Sequence, residues 1–438
     1  MKKIKRRAWA ALLLALALLF GTGVYVWRFA HSYRQWINFS ANENLFRDGA
    51  LALGTVTDRN GVVLAAVSEG RRVFADSAAT RTACLHAVGD TAGNIGTGAL
   101  TAFADRLTGY SLLTGATSGA GGTVALSIDE RLNRTAWSAL AGRRGAVLLM
   151  DYKTGEILCM VSSPSYDPNV GFDATNSWYD GVWLNRCLSA AYTPGSVFKL
   201  VTLAAAVEHI RDLDTRRFTC TGSVTVDGNV LVCSGVHGEQ TVEQALANSC
   251  NCAFAELSLE LGGETLRQYA ERFGLTRQLQ VSGVWTAAGR FEASPARSAD
   301  LAWSGIGQST DLVSPVALLR LVAAIANGGA VRELSLLRGA PGGSARLLRA
   351  DTAERLAAMM HYNVVYSYGQ WNFPNLDLCA KTGTAEVGDG TSHAWFAGFL
   401  ADEAHPYAFV VIVEHGGGGL GNAGPVANAL LQAAVSIS

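Results

Sequence analysis

The order of apolar and polar positions divides the chain into three regions. Residues 8–27 carry no charge and are mostly apolar, and these twenty residues are enough to cross a bilayer core of about 30 Å. From there to about residue 125, short alternating segments and glycine-rich stretches predict a small α+β module. The rest has segments with helical periodicity between strand-like segments, which predicts an α/β domain.

A basic cluster before the apolar segment predicts the orientation of a membrane anchor. Five Lys and Arg residues precede the segment, and Arg28 directly follows it. Because positive residues stay in the cytoplasm, we expect residues 1–7 to be a cytoplasmic tail, 8–28 a transmembrane anchor, and the remainder to lie outside. The alternative is a cleaved signal peptide, whose apolar core would be shorter, about 7 to 15 residues.

The small module opens with a predicted hairpin. Residues 55–59 and 62–66 are strand-like and flank Asn60-Gly61, a dipeptide typical of two-residue hairpin turns. A polar juxtamembrane connector, residues 29–48, is expected before it. We therefore assign residues 29–142 to the connector and the module, and residues 143–438 to the larger domain.

The larger domain is predicted to contain a sheet that joins its two ends. A second hairpin, residues 146–162, opens the domain, and strand-like segments at residues 376–383, 394–400 and 407–413 lie near its end. The positions between and after these strands have the apolar periodicity of helices. These predicted helices cover residues 129–140, 196–209, 242–247, 253–261, 265–273, 315–327, 352–360 and 426–435.

The charge of the chain argues against one class of partner and sets a few lysines apart. The chain has 35 Lys and Arg against 36 Asp and Glu, and after residue 28 the balance is 29 to 36, a formal charge of −7. Nucleic acid is therefore not expected as a partner. Only six basic residues are lysines: three precede the anchor, and the others are Lys153, Lys199 and Lys381.

The cysteines and histidines predict neither a disulfide scaffold nor a metal site. Eight cysteines in 438 residues are too few for a disulfide-rich fold. Cys220 and Cys233 flank a turn-rich strand pair, which leaves open whether they are bridged, and the other cysteines are expected to be small buried residues. The chain has no C-x-x-C or H-x-x-x-H pair, so we expect no metal and no cofactor.

Ser196 and Lys199 are the first candidates for chemistry. They follow Pro194-Gly195 at the start of a predicted helix and share one face, one turn apart. A serine hydroxyl needs a neighbouring base, and a lysine can serve when burial or nearby positive charge lowers its pKa from about 10.4. Arginine does not release its proton, so a lysine retained here in an arginine-rich chain indicates a catalytic pair. The alternative is an ordinary helix start.

Ser249 and Asn251 form a second candidate, between two predicted helices. A hydroxyl there can relay a proton, and an amide can hold a substrate carbonyl. Serine and asparagine are also ordinary loop residues. Ser40 and Asn42 repeat the same pattern beside the anchor, where position makes them a false match.

A third candidate, Lys381-Thr382-Gly383-Thr384, ends a strand-like segment. An edge strand there presents a cation and hydroxyls, with a glycine where a peptide backbone can approach closely. Lys153-Thr154-Gly155 is a partial copy at the tip of the second hairpin, where we interpret it as a turn.

Taken in order, Ser-x-x-Lys, Ser-x-Asn and Lys-Thr-Gly-Thr match the signature of penicilloyl-serine transferases. The chain from about residue 143 to its end resembles the transpeptidase domain of the penicillin-binding proteins. Residues 54–65 are similar to the pedestal of the monofunctional class B members, although Leu53 stands where many members carry Arg. Further segments that fit the family are residues 151–157, 163–169, 185–186, 305–308 and 326–329.

The resemblance implies a fold and a reaction. The fold would be the serine penicillin-recognising transpeptidase fold, an antiparallel sheet flanked by helices, beside a pedestal and one transmembrane helix. Ser196 would attack a D-Ala-D-Ala stem peptide and release the terminal D-Ala, with Lys199 as the base and Ser249 as a proton relay. An acceptor amine would then resolve the acyl-enzyme into a crosslink, whereas a β-lactam would acylate Ser196 and stay.

The resemblance also implies binding roles for the other motif residues. Asn251 would hold the donor peptide, and Lys381, Thr382 and Thr384 would bind its terminal carboxylate. The backbone N–H groups of Ser196 and Thr384 would form an oxyanion hole, in which one donor is typically worth roughly 2.7 to 4 kcal/mol.

Partners and location follow from the same resemblance. The enzyme would be a single-pass protein of the bacterial cell membrane, with a cytoplasmic amino terminus and an extracytoplasmic catalytic domain. We expect peptidoglycan stem peptides as substrates, β-lactam antibiotics as inhibitors, and a SEDS-family glycan polymerase packed against the transmembrane helix and pedestal.

Three alternatives compete with this interpretation. A bifunctional class A enzyme is not expected, because a glycosyltransferase domain of roughly 200 residues does not fit the stretch of about 115 residues between the anchor and residue 143. A D,D-carboxypeptidase or an anchored β-lactamase can use the same motifs with water as acceptor, although the pedestal and anchor argue against both. A non-catalytic β-lactam sensor or scaffold is disfavoured because all three motifs are intact.

Overall fold

The computed structural model describes residues 2–37, 46–47, 50–51, 53–109, 121–292, 298–340 and 342–437. Helix α1, Lys2–Ile37, contains the predicted apolar segment, and its stretch Lys3–His31 is long and apolar enough to cross a membrane. The helix continues beyond residue 28, so the first part of the predicted connector is helical. Most of the remaining connector lies outside the described residues, apart from the short strands Phe46–Arg47 and Ala50–Leu51, which pair with each other.

The small module is a four-stranded sheet with a helix beside it. Its strands are β1 (Thr55–Thr57), β2 (Val63–Ser68), β3 (Arg71–Phe74) and β4 (Thr123–Ala125), in the order β3-β2-β1-β4. The predicted hairpin is confirmed, since the Asp58 N–H donates to the Val62 carbonyl at 2.9 Å across the Asn60-Gly61 turn.

The position of the unusual Leu53 is fixed through its backbone. The Arg72 guanidinium donates to the Leu53 carbonyl at 2.6 Å and to the Gly54 carbonyl at 2.8 Å. A cation from β3 therefore holds the start of the module by its main chain, where the identity of the side chain matters less.

Two helices connect the module to the larger domain. Helix α2, Ala78–Val88, packs against α3, Glu130–Leu140, and both contact the strand Ile157–Ser163 of the large sheet. Helix α3 begins where predicted because the Asp129 carboxylate accepts the Arg131 N–H and caps the helix.

The large sheet joins the two ends of the domain, as predicted. Its strands are β5 (Gly145–Asp151), β6 (Ile157–Ser163), β7 (Leu378–Glu386), β8 (Ser392–Leu400) and β9 (Tyr407–Val413), in the antiparallel order β7-β8-β9-β5-β6. Every residue of β6 and nearly every residue of β5 is buried, because helices cover both faces of the sheet.

The helices lie where the apolar periodicity placed them, with ends shifted by a few residues. Helix α3 and the last helix pack on one face of the sheet, whereas the helices Pro315–Ala326 and Ala350–Asn363 pack on the opposite face. After α3 the predicted helices are α4 (Lys199–His209), α5 (Val242–Ala247), α6 (Asn251–Leu261), α7 (Gly263–Phe273), α8 (Pro315–Ala326), α9 (Ala350–Asn363) and α10 (Gly424–Ser436). Short helices cover Ala99–Ala102, Ala104–Thr108, Ala299–Ser304 and Gly419–Asn422.

Small hairpins complete the helical side of the domain. They pair Phe218–Cys220 with Gly238–Gln240, Ser223–Val226 with Asn229–Val232, Gln280–Val281 with Val284–Trp285, and Ala330–Arg332 with Ser344–Arg346.

A buried ion pair fixes the segment that leads into Ser196. The Glu414 carboxylate, just after β9, accepts from Arg186 Nε at 2.7 Å and from the Tyr192 hydroxyl at 2.7 Å. Trp395 of β8 donates its indole N–H to the Thr193 carbonyl at 3.0 Å. These contacts hold residues 192–193 against the sheet, and residues 194–196 follow directly.

We predict that Glu414→Gln lowers the free energy of unfolding by about 3 to 5 kcal/mol, because it leaves the Arg186 guanidinium buried without its carboxylate. Denaturant unfolding of the full chain in detergent, followed by tryptophan fluorescence, measures the change. Asp351→Asn is the control, since its ion pair with Arg349 is exposed and is expected to contribute less than about 1 kcal/mol. A similar small loss in both variants would contradict a structural role for the buried pair.

Candidate active site

Ser196 and Lys199 meet at the beginning of α4. A 3₁₀ turn, Gly195–Phe198, leads directly into α4 and places Lys199 Nζ 3.2 Å from Ser196 Oγ. Gly195 has a φ of +55°, and a Cβ there would lie 2.6 Å from the Thr384 carbonyl oxygen. Only glycine therefore allows the serine turn to approach strand β7 this closely.

The Lys199 amine is fully buried and surrounded by acceptors. Its Nζ lies 2.6 Å from the Ser249 carbonyl oxygen and 2.8 Å from Asn251 Oδ1, as well as 3.2 Å from Ser249 Oγ. The ring of Phe254 covers it at 5.5 Å. Burial lowers the pKa of Lys199 to about 7, so the amine can lose its proton near neutral pH.

The contacts of Lys199 specify how a neutral amine would be oriented. The two carbonyl oxygens, on Ser249 and Asn251, can only accept, and a neutral amine has two N–H groups to give them. Its lone pair then remains for a hydroxyl proton, and Ser196 Oγ is within reach at 3.2 Å. The arrangement therefore suits removal of the Ser196 proton.

Ser249 lies in the turn between α5 and α6, and Asn251 is the first residue of α6. A capping box of Thr241 and Gln244 starts α5, and Ser249 has a φ of +51°, which is uncommon for a residue with a side chain. The Asn251 amide donates to the Val232 carbonyl at 2.9 Å, which directs its Oδ1 toward Lys199.

Strand β7 brings the third motif to the other side of Ser249. Lys381 is buried and its Nζ lies 3.0 Å from Ser249 Oγ, so both lysines contact the same hydroxyl. Burial, assisted by the charge of Lys199, lowers the pKa of Lys381 well below its usual value. Gly383 faces the interior with Lys381, whereas Thr382 and Thr384 alternate onto the more exposed face.

Tyr368 is a site residue that the sequence motifs do not indicate. It ends the π-helical turn Val364–Tyr368 after α9, and its hydroxyl oxygen accepts from the Thr382 N–H at 3.0 Å and the Thr382 hydroxyl at 3.2 Å. The Thr382 N–H therefore points away from β8, and by the alternation of an antiparallel ladder the Thr384 N–H does so too. The sequence offers one weak sign of Tyr368, which is its place among the aromatic residues that follow a predicted helix.

Residues from all three motifs line a groove with a volume of about 570 Å³. Ser196, Ser249, Asn251, Thr382 and Thr384 all contribute to its wall, so the structure brings the three predicted motifs together. The lysines lie behind this wall. Groove residues that no motif predicted as site residues include Val230, Val232, Trp303, Ile306, Gln308 and Glu386.

The partial copies of the motifs lie elsewhere. The Lys153 N–H donates to the Asp151 carboxylate at 2.8 Å, as expected for a turn, and Lys153 Nζ contacts Asn327 Oδ1 at 3.1 Å. Ser40 and Asn42 lie outside the described residues.

All eight cysteines are buried free thiols, so the structure contains no bridge between Cys220 and Cys233. Cys220, Cys233 and Cys252 nevertheless lie close to the Ser249 turn, and Cys250 lies within the second motif itself. This grouping was not expected from their separation in the sequence.

Comparisons with known proteins agree with the motifs. The model of the penicillin-binding protein transpeptidase domain matches residues 145–432. The peptidoglycan D,D-transpeptidase PbpA of Mycobacterium tuberculosis is 29% identical over 361 residues, which covers 72% of this chain and 73% of PbpA.

Solved structures share the same fold. Penicillin-binding protein A of M. tuberculosis, in its ceftriaxone acyl-enzyme complex, aligns with a TM-score of 0.73 and 26% identity over 87% of this chain and 98% of that one. A D,D-transpeptidase domain from Eggerthella lenta aligns with a TM-score of 0.74 and 26% identity over 88% of this chain and 98% of that one. With its matching domain, its three convergent motifs and its fold, the chain belongs to the penicillin-binding protein transpeptidase family.

Proposed function

We propose that the protein is a membrane-anchored peptidoglycan D,D-transpeptidase that crosslinks stem peptides through an acyl-enzyme on Ser196. The observation that carries this proposal is the position of the Lys199 amine, buried and 3.2 Å from Ser196 Oγ. The PbpA relatives are named as peptidoglycan D,D-transpeptidases, and one solved homologue is an acyl-enzyme complex with a β-lactam.

Acylation begins when neutral Lys199 accepts the Ser196 proton and Ser196 Oγ attacks the carbonyl carbon of the penultimate D-Ala. The N–H groups of Ser196 and Thr384 stabilise the oxyanion. Ser249 Oγ, which contacts both lysines, passes a proton to the leaving D-Ala nitrogen as the peptide bond breaks. Lys199 supplies that proton, so the amine returns to its neutral form.

Substrate binding involves the outer side of β7. Thr382 and Thr384 present hydroxyl groups toward the groove, and Lys381 lies behind them. Lys381 and the hydroxyls bind the terminal carboxylate of the donor, and this negative charge favours protonation of Lys381. Asn251 holds the donor backbone beside the serine.

Deacylation distinguishes the proposed function from the alternatives. An amine of a neighbouring stem peptide enters the groove and attacks the acyl carbon, and Lys199 accepts its proton. As the ester bond breaks, Lys199 returns a proton to Ser196 Oγ, which frees the serine and leaves the new amide bond. A carboxypeptidase or β-lactamase would use water instead. The similarity to D,D-transpeptidases over most of the chain favours the amine acceptor.

Helix α1 and the pedestal determine where the enzyme acts and which partner it contacts. Helix α1 anchors the protein in the bacterial membrane, residues 29–142 include the pedestal, and residues 143–438 form the transpeptidase domain outside the cytoplasm. A SEDS-family polymerase, packed against α1 and the pedestal, supplies the glycan strands that are crosslinked.

A fluorescent penicillin tests the nucleophile. We expect the purified full chain to be labelled covalently and Ser196→Ala not to be labelled, because the alanine has no oxygen to acylate. Ser234→Ala is the matched control, since Ser234 lines the same groove outside the motifs and its loss is expected to leave labelling unchanged. Labelling of Ser196→Ala, or its absence in the unmodified chain, would refute the mechanism.

The pH dependence of acylation tests the base. Because burial lowers the pKa of Lys199 to about 7, the neutral amine predominates above that pH, and the acylation rate is expected to fall about tenfold for each unit below it. Lys381 and the thiols of Cys250, Cys233 and Cys252 face this amine, and negative charge on these sulfurs opposes the lowering of the Lys199 pKa.

Stopped-flow acylation between pH 5 and pH 9 measures this profile. Lys199→Arg, which keeps the charge but cannot release a proton, is expected to lose roughly 10²- to 10⁴-fold in rate at every pH. A flat profile for the unmodified chain, or normal acylation by Lys199→Arg, would exclude Lys199 as the base.

A product assay tests the acceptor. With lipid-linked peptidoglycan and a glycan polymerase present, we expect crosslinked dimers to form and to disappear in Ser196→Ala. Mass spectrometry of the digested product separates dimers from monomers that have only lost D-Ala. Trimmed monomers without dimers would identify a carboxypeptidase.

A further inference from the structure

Four potential metal ligands converge beside the second motif. Cys220, Cys233, His237 and Cys250 each offer one ligand atom, and all four atoms lie within 4.8 Å of one another. The three cysteines are buried and His237 is partly buried. Cys220 ends a strand, Cys233 and His237 lie in the loop that follows Val232, and Cys250 lies in the turn between α5 and α6, so the fold brings these segments together.

The distances in this cluster fit a tetrahedral ion. Zinc bonds of about 2.3 Å to sulfur and about 2.0 Å to nitrogen, at tetrahedral angles, place two sulfurs about 3.8 Å apart and a sulfur and a nitrogen about 3.5 Å apart. Cys233 Sγ lies 3.8 Å from Cys250 Sγ and 3.6 Å from His237 Nδ1. Two thiols in van der Waals contact have a similar separation, but four donor atoms within 4.8 Å of one another are the full ligand set of a tetrahedral ion.

The surroundings of Cys233 also suit a metal-bound thiolate. The Asn251 N–H donates to Cys233 Sγ at 3.2 Å, and such hydrogen bonds commonly orient metal ligands from outside the first shell. Cys252 Sγ lies 3.6 Å from Cys220 Sγ but is not among the four convergent ligands.

We propose that Cys220, Cys233, His237 and Cys250 bind a zinc ion with structural coordination. Three thiolates and one imidazole form a closed tetrahedral set typical of structural zinc, and soft sulfur ligands disfavour calcium or magnesium. Binding releases the protons of the three thiols as the Zn–S bonds form. The expectation of no metal, drawn from the lack of C-x-x-C or H-x-x-x-H spacing, is thereby replaced.

The ion ties the groove wall to the catalytic turn. Cys250 lies between Ser249 and Asn251, whereas Cys233 directly follows the strand that ends at Val232. A metal bond between these segments holds Ser249 in its left-handed conformation and fixes the Asn251 amide against the Val232 carbonyl. The site is therefore a positioning element, and its existence does not depend on the reaction proposed for Ser196.

Metal content of the full chain tests the proposal. The protein is purified without a histidine tag, loaded with zinc, dialysed and assayed by plasma mass spectrometry. We expect close to one zinc ion per chain in both the unmodified protein and Ser196→Ala. Cobalt loading is expected to give the visible bands of a tetrahedral site with thiolate charge transfer.

Variants locate the ion. Cys233→Ser and His237→Ala are expected to lose most of the zinc, whereas His237→Cys restores a fourth ligand and retains it. Cys84→Ala and Cys379→Ala are matched controls, because these buried cysteines lie outside the cluster and should keep the full content. His237 is only partly buried, so its variants are expected to fold.

Three results would overturn the proposal. The first is an unmodified chain that holds almost no zinc after loading and gives no cobalt bands. The second is equal metal content in His237→Ala and the controls. The third is a disulfide among these cysteines, found by mass spectrometry of freshly purified protein. Penicillin labelling, measured in parallel, reports separately on the reaction at Ser196.

Discussion

The site depends on keeping one lysine amine out of water. Lys199 is fully buried, and the cost of burying an ammonium ion lowers its pKa toward neutrality. The same burial requires hydrogen-bond partners for the amine, which the Ser249 carbonyl and the Asn251 side chain provide. The second motif therefore supplies the hydrogen-bond acceptors of the base and also orients it toward Ser196.

Close backbone approach is the second requirement of the arrangement. Gly195 and Gly307 both have positive φ, and the Gly195 N–H donates to the Gly307 carbonyl at 2.8 Å. A Cβ at Gly307 would lie 2.1 Å from the Gly195 carbonyl oxygen. These two glycines let the serine turn fit between β7 and the segment before α8, so the nucleophile is held from both sides by main chain.

Much of the fold and most of the motif residues were predictable from the sequence because they depend on local patterns. Apolar periodicity located α4 and α8, and the strand-like segments at the two ends of the domain predicted one sheet. Spacing placed Ser196 and Lys199 on one helical face, which the 3.2 Å contact confirms. Tyr368 and the cysteine cluster were not predicted. Tyr368 reaches the site through a π-helical turn, and the cluster forms where segments that are separate in the sequence meet in the fold.

The order of strands in the large sheet controls when the catalytic site can exist. Strands β5 and β6 lie at the start of the domain, whereas β7, β8 and β9 come from its last part, and β9 pairs directly with β5. Lys381 on β7 therefore reaches Ser249 only after β9 has been synthesised and has joined β5. Such long-range pairing forms late in folding. The catalytic site is therefore complete only after residues 407–413 have paired with residues 145–151.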